Sequence, residues 1–200
     1  MTKPAPILEA VRLSKLRPTQ MSVGLREVAA KRAEWRAEHG RKAAKWLGRH
    51  TVPVVRGPKE RLYLIDHHHL ARALHDEGVD KLAVSVVADL SGLARDEFWV
   101  VMDMKGWSHP YDAAGTRQAI HAIPKRIADL EDDPCRSLAG ELRRRGGFAK
   151  DLTPFAEFLW ADFLRRRVSV DDWDTAVARA EHLAHGTDAA HLPGWCGART

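Results

Sequence analysis

An α+β fold is what this sequence predicts: a small mixed sheet with its helices, followed by a mostly helical C-terminal region. Short β-branched runs occur only in the first part, at residues 7–13, 51–56, 61–66 and 83–88. Runs of this kind, bounded by Gly and Pro, read as strands. Past residue 93 they give way to apolar residues at helical spacing, such as Phe98 with Met102 and Phe155 with Leu159 and Phe163. The division therefore falls into an α+β unit at residues 1–92 and a helical extension at 93–200, packed together as one body.

Residues 7–13 alternate in part and form the first strand. Pro18, with its fixed φ and missing N–H, forbids a smooth continuation of sheet or helix. Gly24 then leads into a helix over residues 25–47, where Val28, Trp35 and Trp46 are thinly spread among charged residues, so much of its surface is wet. Gly40 is the point where that helix would divide. Residues 51–56 and 61–66 flank the turn signal Gly57-Pro58-Lys59-Glu60 and form a hairpin. A helix runs from His67 to Glu77, with Gly78 as its stop, and residues 83–88 add a strand. Beyond them come a helix at 94–105, an aromatic and polar loop at 106–112, a helix or turn at 123–130, and a helix at 136–145 closed by Gly146-Gly147. Thr153 and Pro154 suit the N-cap and first position of the next helix. Its aromatic face is expected to pack back on the sheet, and Arg165, Arg166 and Arg167 complement its dipole. Residues 168–185 form the last helix.

Composition narrows the function classes. Cys135 and Cys196 imply no disulfide framework and suit a reducing cytoplasm. No apolar run approaches the ~20 residues that span a bilayer, and the N-terminus lacks a secretory apolar stretch, so the expected setting is cytoplasmic, away from membranes. The net charge of +5 favours phosphate-bearing partners. Basic residues cluster at Lys31, Arg32, Arg36, Arg41, Lys42 and Lys45, at Arg143, Arg144 and Arg145, and at Arg165, Arg166 and Arg167. Such clusters read as solvated helix faces or as patches that track a nucleic-acid backbone.

The least ordinary feature is Asp66-His67-His68-His69-Leu70, where a strand feeds a helix. An aspartate there can cap the first free N–H groups. The same groups, with imidazoles beside them, make an anion site for a nucleotide or phosphorylated ligand. Three adjacent histidines diverge around a helix start, and no HExxH spacing occurs, which argues against a histidine metal cage. A second candidate is the loop bearing Trp107, His109, Tyr111 and Asp112. It either closes over a substrate pocket or plugs the core with its rings while Asp112 caps the residues from Ala113 onward. Arg136, Ser137, Lys150, Asp151 and Glu157 are weaker candidates.

The Asp-x-His-His junction after a strand–turn–strand, with Ala71 and Leu74 on its helix, resembles the ParB/sulfiredoxin-like fold. The stretch from Val11 to Gln20, a strand and a proline-containing loop, is similar to that fold's opening motif. Phe98-Trp99, residues 106–112, Asp133-Pro134-Cys135-Arg136-Ser137-Leu138 and Phe155-Ala156-Glu157-Phe158 resemble the ParB-like nuclease subgroup, so that the likeness spans residues 7–167. Members of the wider fold bind nucleoside triphosphates at this junction; they include CTP-dependent partition clamps, ATP-using sulfiredoxins and free-serine kinases. The kinases carry Asp-Gly-His-His-Arg. Asp66, His68 and His69 match it, whereas His67 replaces the glycine and Leu70 the arginine, which removes a bidentate phosphate contact. Gln20 lies near the place of the kinases' glutamate and cannot take a proton, leaving Glu27 as the substitute base. Sulfiredoxin's cysteine motif is absent, and no helix reads as a major-groove recognition helix.

The resemblance thus implies Asp66, His68 and Glu27 as catalytic residues, with Asp66 also orienting a metal. His67, His68, His69, Arg17, Thr19 and Gln20 would hold phosphates, and ATP or another nucleoside triphosphate with Mg2+ would be the cofactor. Three functions are compatible with it. One is phosphoryl transfer from a nucleotide to a small-molecule acceptor, kinase-like in that positioning and electrostatics dominate. Another is a metal-dependent nuclease or DNA-binding protein acting on nucleic-acid phosphodiesters. The third is a nucleotide sensor without turnover. Oligomeric state stays open.

Overall fold

A computed structural model describes residues 7–37 and 50–197 of the chain. Five strands form the main sheet: β1 (Ile7–Arg12), β2 (Leu16–Pro18), β4 (Val52–Gly57), β5 (Arg61–Leu64) and β6 (Lys81–Asp89), in the order β1-β6-β4-β5-β2. The sheet is mixed. β1 runs antiparallel to β6 and β4 antiparallel to β5, whereas β4–β6 and β5–β2 are parallel. Two short strands, β3 (Ser22–Val23) and β7 (Glu131–Asp132), pair separately in parallel. Lys59 and Glu60 both have left-handed backbones, φ 61 and 55, as the twist of a tight hairpin turn requires.

Pro18 does not exclude the sheet. It ends β2 on the outer edge, opposite Leu64, where a missing N–H breaks no ladder. Helix α1 (Leu25–Ala37) and helix α2 (His68–Asp76) cover one face of the sheet, packing Val28, Trp35, Leu70 and Leu74 onto Leu16, Val54, Leu64 and Val84. Each such Val or Leu, fully buried, contributes about 1.5–3 kcal/mol. The continuation of α1 expected through residue 47, with Gly40, Arg41, Lys42, Lys45 and Trp46, lies outside the described residues. Helix α3 (Arg95–Met104) covers the opposite face with Phe98 and Met102 against Val55 and Tyr63. Of the helix or turn expected at residues 123–130, the structure has a turn: short 3-10 turns at Ile120–Ala122 and Ile127–Asp129 lie on either side of Pro124.

Helices α4 (Pro134–Arg144), α5 (Ala156–Arg165) and α6 (Trp173–Ala184) enclose a second core of Leu138, Leu142, Trp160, Leu164 and Val177. The aromatic face of α5 therefore does not return to the sheet, both faces of which are already covered. Trp160 instead stacks on Phe148 at 4.4 Å and donates from Nε1 to the Pro193 carbonyl at 2.8 Å. Nor is Thr153 the N-cap of α5. Asp151 takes its N–H at 2.7 Å in a separate turn, and the helix starts after Phe155, which is held at φ 59. The last helix likewise starts later than residue 168, because Asp172 accepts from Thr175 N and fixes the N-terminus there.

The two cores are joined where α1 begins. β7 lies beside β3, Asp132 Oδ1 accepts from Leu25 N at 2.8 Å, and Ser137 Oγ accepts from Arg26 N at 3.3 Å. Side chains from the helical region thus satisfy N–H groups that a helix start leaves open. Among the described residues no helix is long and apolar enough to cross a membrane.

Candidate functional site

The junction after β5 is built around two buried imidazoles. His68 Nε2 accepts from Thr19 N at 3.1 Å, and His69 Nε2 accepts from Gly24 N at 2.9 Å. Both rings pin the loop between β2 and α1 to the start of α2. Burial holds the His68 ring down to a pKa of about 3 and drives His69 well below the ordinary histidine range, the nearby Arg136 guanidinium adding to the shift of His69. Each neutral ring therefore spends Nε2 as an acceptor on backbone, and that nitrogen is closed to a phosphate, leaving Nδ1–H as the one donor of each ring. Thr19 is engaged too, donating from Oγ1 to the Leu64 carbonyl at 2.7 Å, while Gln20 Nε2 donates to Ser22 O at 2.7 Å. Both side chains are buried.

Asp66 and His67 are exposed at the same junction. Asp66 does not cap α2. Its Oδ1 accepts from the N–H of its neighbour His67 at 2.6 Å, and left-handed His67, φ 63, takes the N-cap position without a capping side chain. Among the described residues no group of three or more His, Cys, Asp and Glu is placed to hold a metal ion, so Asp66 stands there without a ligand set around it.

Glu27 lies behind the junction, buried, with Oε2 3.0 Å from Arg136 Nη1 and 3.6 Å from His69 Nε2. Because His69 Nε2 already accepts from Gly24, its approach to Glu27 is a contact of a neutral ring, and the charge of Glu27 is met by Arg136. Gly140 makes room for the pair: a Cβ there would lie 2.8 Å from Glu27 Oε2. A carboxylate held so is a brace and is poorly placed to reach a substrate as a base.

The 106–112 loop is tied to the same framework, His109 N donating to Thr19 O at 2.8 Å. It forms one wall of a cleft of about 630 Å³ whose other wall is the start of α5. His109, Tyr111 and Asp112 line it with Phe155 and Phe158, but Trp107 does not; it turns toward the core beneath α3. The His109 ring lies 4.6 Å from Tyr111 and 4.1 Å from Phe158, and burial lowers its pKa to about 4. Asp112 is occupied within the loop, accepting from Ala114 N, Thr116 N and Gln118 Nε2.

Three further clefts continue from this one by shared residues: Asp103 and Arg117 lead to a cleft at Trp99, Arg95 and His121 lead on, and Arg17, Arg61 and Lys125 lead to the last. The final two are lined by Lys15, Arg17, Lys59, Arg61, Arg95, Lys125 and Arg126 against one acid, Glu60. Glu60 is paired with Arg56, and Arg126 with Asp129. The other six cations form no ion pair among the described residues. They make a basic lane on the outer side of β2 and β5, where only Arg17 stood out in the sequence, because the rest are scattered singly along the chain. The conspicuous basic runs are largely neutralised: Arg32 and Arg36 by Glu77, Arg143 by Glu157, Arg144 and Arg145 by Glu141, and Arg165 by Asp133.

The crystal structure of protein Atu1540 from Agrobacterium tumefaciens is similar to the chain at 54% identity and a TM-score of 0.92, covering 98% of this chain and 100% of that one. Comparison with curated proteins gives no match. The family described as "Putative ParB-like nuclease" matches residues 9–166, a span that takes in the proline loop, the histidine junction and the aromatic cleft. The chain belongs to the ParB-like nuclease family.

Proposed function

We propose that this protein binds the phosphodiester backbone of a nucleic acid along the basic lane and acts on that backbone as a ParB-like nuclease. The observation that carries the reading is the set of six cations, Lys15, Arg17, Lys59, Arg61, Arg95 and Lys125, that line adjoining clefts without an acidic partner among the described residues. Unpaired cations in a row release counterions when they meet phosphates, which makes binding tight at low salt and weak at high salt. Trp99 lies beside the lane, as aromatic residues do in grooves that follow a strand.

The nucleotide reading has less to draw on. With His68 and His69 buried and their Nε2 atoms spent on the backbone, a nucleoside triphosphate with magnesium would meet only Asp66, His67 and the open N–H groups of α2. These residues do not fit a triphosphate clamp.

Fluorescence anisotropy with a labelled oligonucleotide tests the proposal. Binding is expected to fall between about 50 and 200 mM salt, with a slope of about −0.7 per phosphate contacted for a single strand. Arg17→Gln with Arg61→Gln should flatten that slope by about 1.4, two contacts at this increment. Absence of oligonucleotide binding at low salt, with a magnesium-dependent thermal shift in ATP, would replace this function with nucleotide binding.

A further inference from the structure

The aromatic cleft beside the lane has a different chemistry from the lane itself. Its arginines are all engaged: Arg165 with Asp133 and the Ala113 carbonyl, Arg166 with Asp162, and Arg117 with Asp103. No cation is left over for a phosphate. Its interior is a row of rings, with Tyr111 and His109 stacked at 25° and Phe158 and Phe155 at 4.1 and 4.7 Å from His109. Held neutral by burial, His109 behaves in that row as a flat aromatic surface. Exposed Met104 and Leu159 extend the apolar lining to the rim. At about 630 Å³, the cleft is of the size that takes a small planar ligand, within the ~300–1,000 Å³ usual for such sites.

The cleft reaches the basic lane by way of the cleft at Trp99, which shares Asp103 and Arg117 with it at one end and Arg95 and His121 with the lane at the other. We propose that it receives one nucleobase, unstacked from the strand whose phosphates lie on the lane, and lays it on the rings of Tyr111, Phe155 and Phe158. This inference rests on the nucleic-acid reading and deepens it. A base is planar, uncharged and apolar on its faces, which suits a cleft with no spare charge, while its polar edge can meet Asp162 and Arg166 at the mouth. A base held in a duplex cannot enter without the loss of its pairing and stacking, so the site favours single strands. Stacking on rings is available to every base and independent of the sugar.

Single-stranded DNA and RNA of one sequence, each carrying 2-aminopurine, and the matching duplex test this with the full chain. The expected result is quenching of 2-aminopurine on binding and tighter binding of single strands than of duplex. Tyr111→Leu and Phe155→Leu should each abolish most of the quenching and weaken single-strand binding on the order of 5- to 150-fold, with the salt slope retained. Tyr111→Trp, which keeps a ring, should keep the quenching, and a retained salt slope with an unchanged melting temperature shows that the leucine variants are folded. Binding with the expected salt slope but without quenching, or quenching that survives both leucine variants, overturns the base site alone. Failure of any oligonucleotide to bind overturns the lane and the base site together. Equal quenching in the DNA and RNA arms supports a site that reads the face of the base, and quenching in one arm alone overturns it.

Discussion

His68 and His69 show how a residue that looks reactive in a sequence can be committed to the fold. Each ring accepts a backbone N–H, from Thr19 and Gly24 respectively, and each is neutral because its charged form would be buried. The consequence is a pH dependence of stability. The unfolded chain takes up a proton on His68 near the ordinary pKa of 6.5, whereas the folded chain refuses it until about 3. Between these values the unfolded state binds more protons, so stability is complete above pH 6.5 and falls as pH drops through that window toward 3. The loss approaches about 1.4 kcal/mol per pH unit well inside it, and His69 acts in the same direction. His68→Gln keeps an acceptor for the Thr19 N–H without a titrating group. Its melting temperature should fall less than that of the wild type when the pH is lowered from 6.5 to 4.5; an equal fall in both would remove His68 as the cause. The sequence made the Asp66–His69 junction visible as unusual. It could not show the roles of the histidines, because their hydrogen-bond partners are backbone groups 49 and 45 residues away. Glu27 was hidden in the same way, its partner Arg136 lying 109 residues further on.

Elements were most legible where local chemistry decides them. The β4–β5 hairpin, α2 with its stop at Gly78, and α3 follow from β-branched runs, turn residues and helical spacing. Helix starts were less legible, since Asp151, Asp172 and Phe155 compete locally for the position that Thr153 or Val168 would suggest. Least legible was the contact between helix starts. α1 and α4 meet at Gly24, where an added Cβ would lie 2.6 Å from Ser137 Oγ, 2.8 Å from its N and 2.9 Å from its Cα. Two of those three atoms are backbone and cannot swing aside. Gly24→Ala should therefore force α4 away from α1, strain the Ser137–Arg26 hydrogen bond and lower stability by about 1–3 kcal/mol, the usual cost of overpacking. A shift in the urea midpoint without a change in slope measures it; an unchanged midpoint would mean that the two helix starts separate freely.

For the whole molecule, the sequence suggests an α+β unit up to residue 92 with a helical extension packed on it as one body, and the cores show how closely the extension is built into that unit. The sheet needs Phe98 and Met102 of α3 to cover one face. Ile127 and Leu130 complete the core on the other. The start of α1 needs Asp132 and Ser137, and buried Glu27 needs Arg136. All of these lie beyond residue 92. A fragment of residues 1–92 would expose the Val55 and Tyr63 face, leave α1 without its two side-chain acceptors, and uncover Glu27, which Arg136 and Gly140 of α4 otherwise enclose. Against a total stability of about 5–15 kcal/mol for an ordinary domain, these deficits leave no folded state. The fragment is expected to show no cooperative thermal transition by circular dichroism, whereas the full chain should show one. A sharp transition in the 1–92 fragment would show that the sheet is autonomous and that the helical region is an attachment. The expected loss instead makes α3, β7 and α4 integral to the sheet unit, which is why the proline loop, the aromatic cleft and the basic lane, contributed by both halves of the chain, hold one geometry.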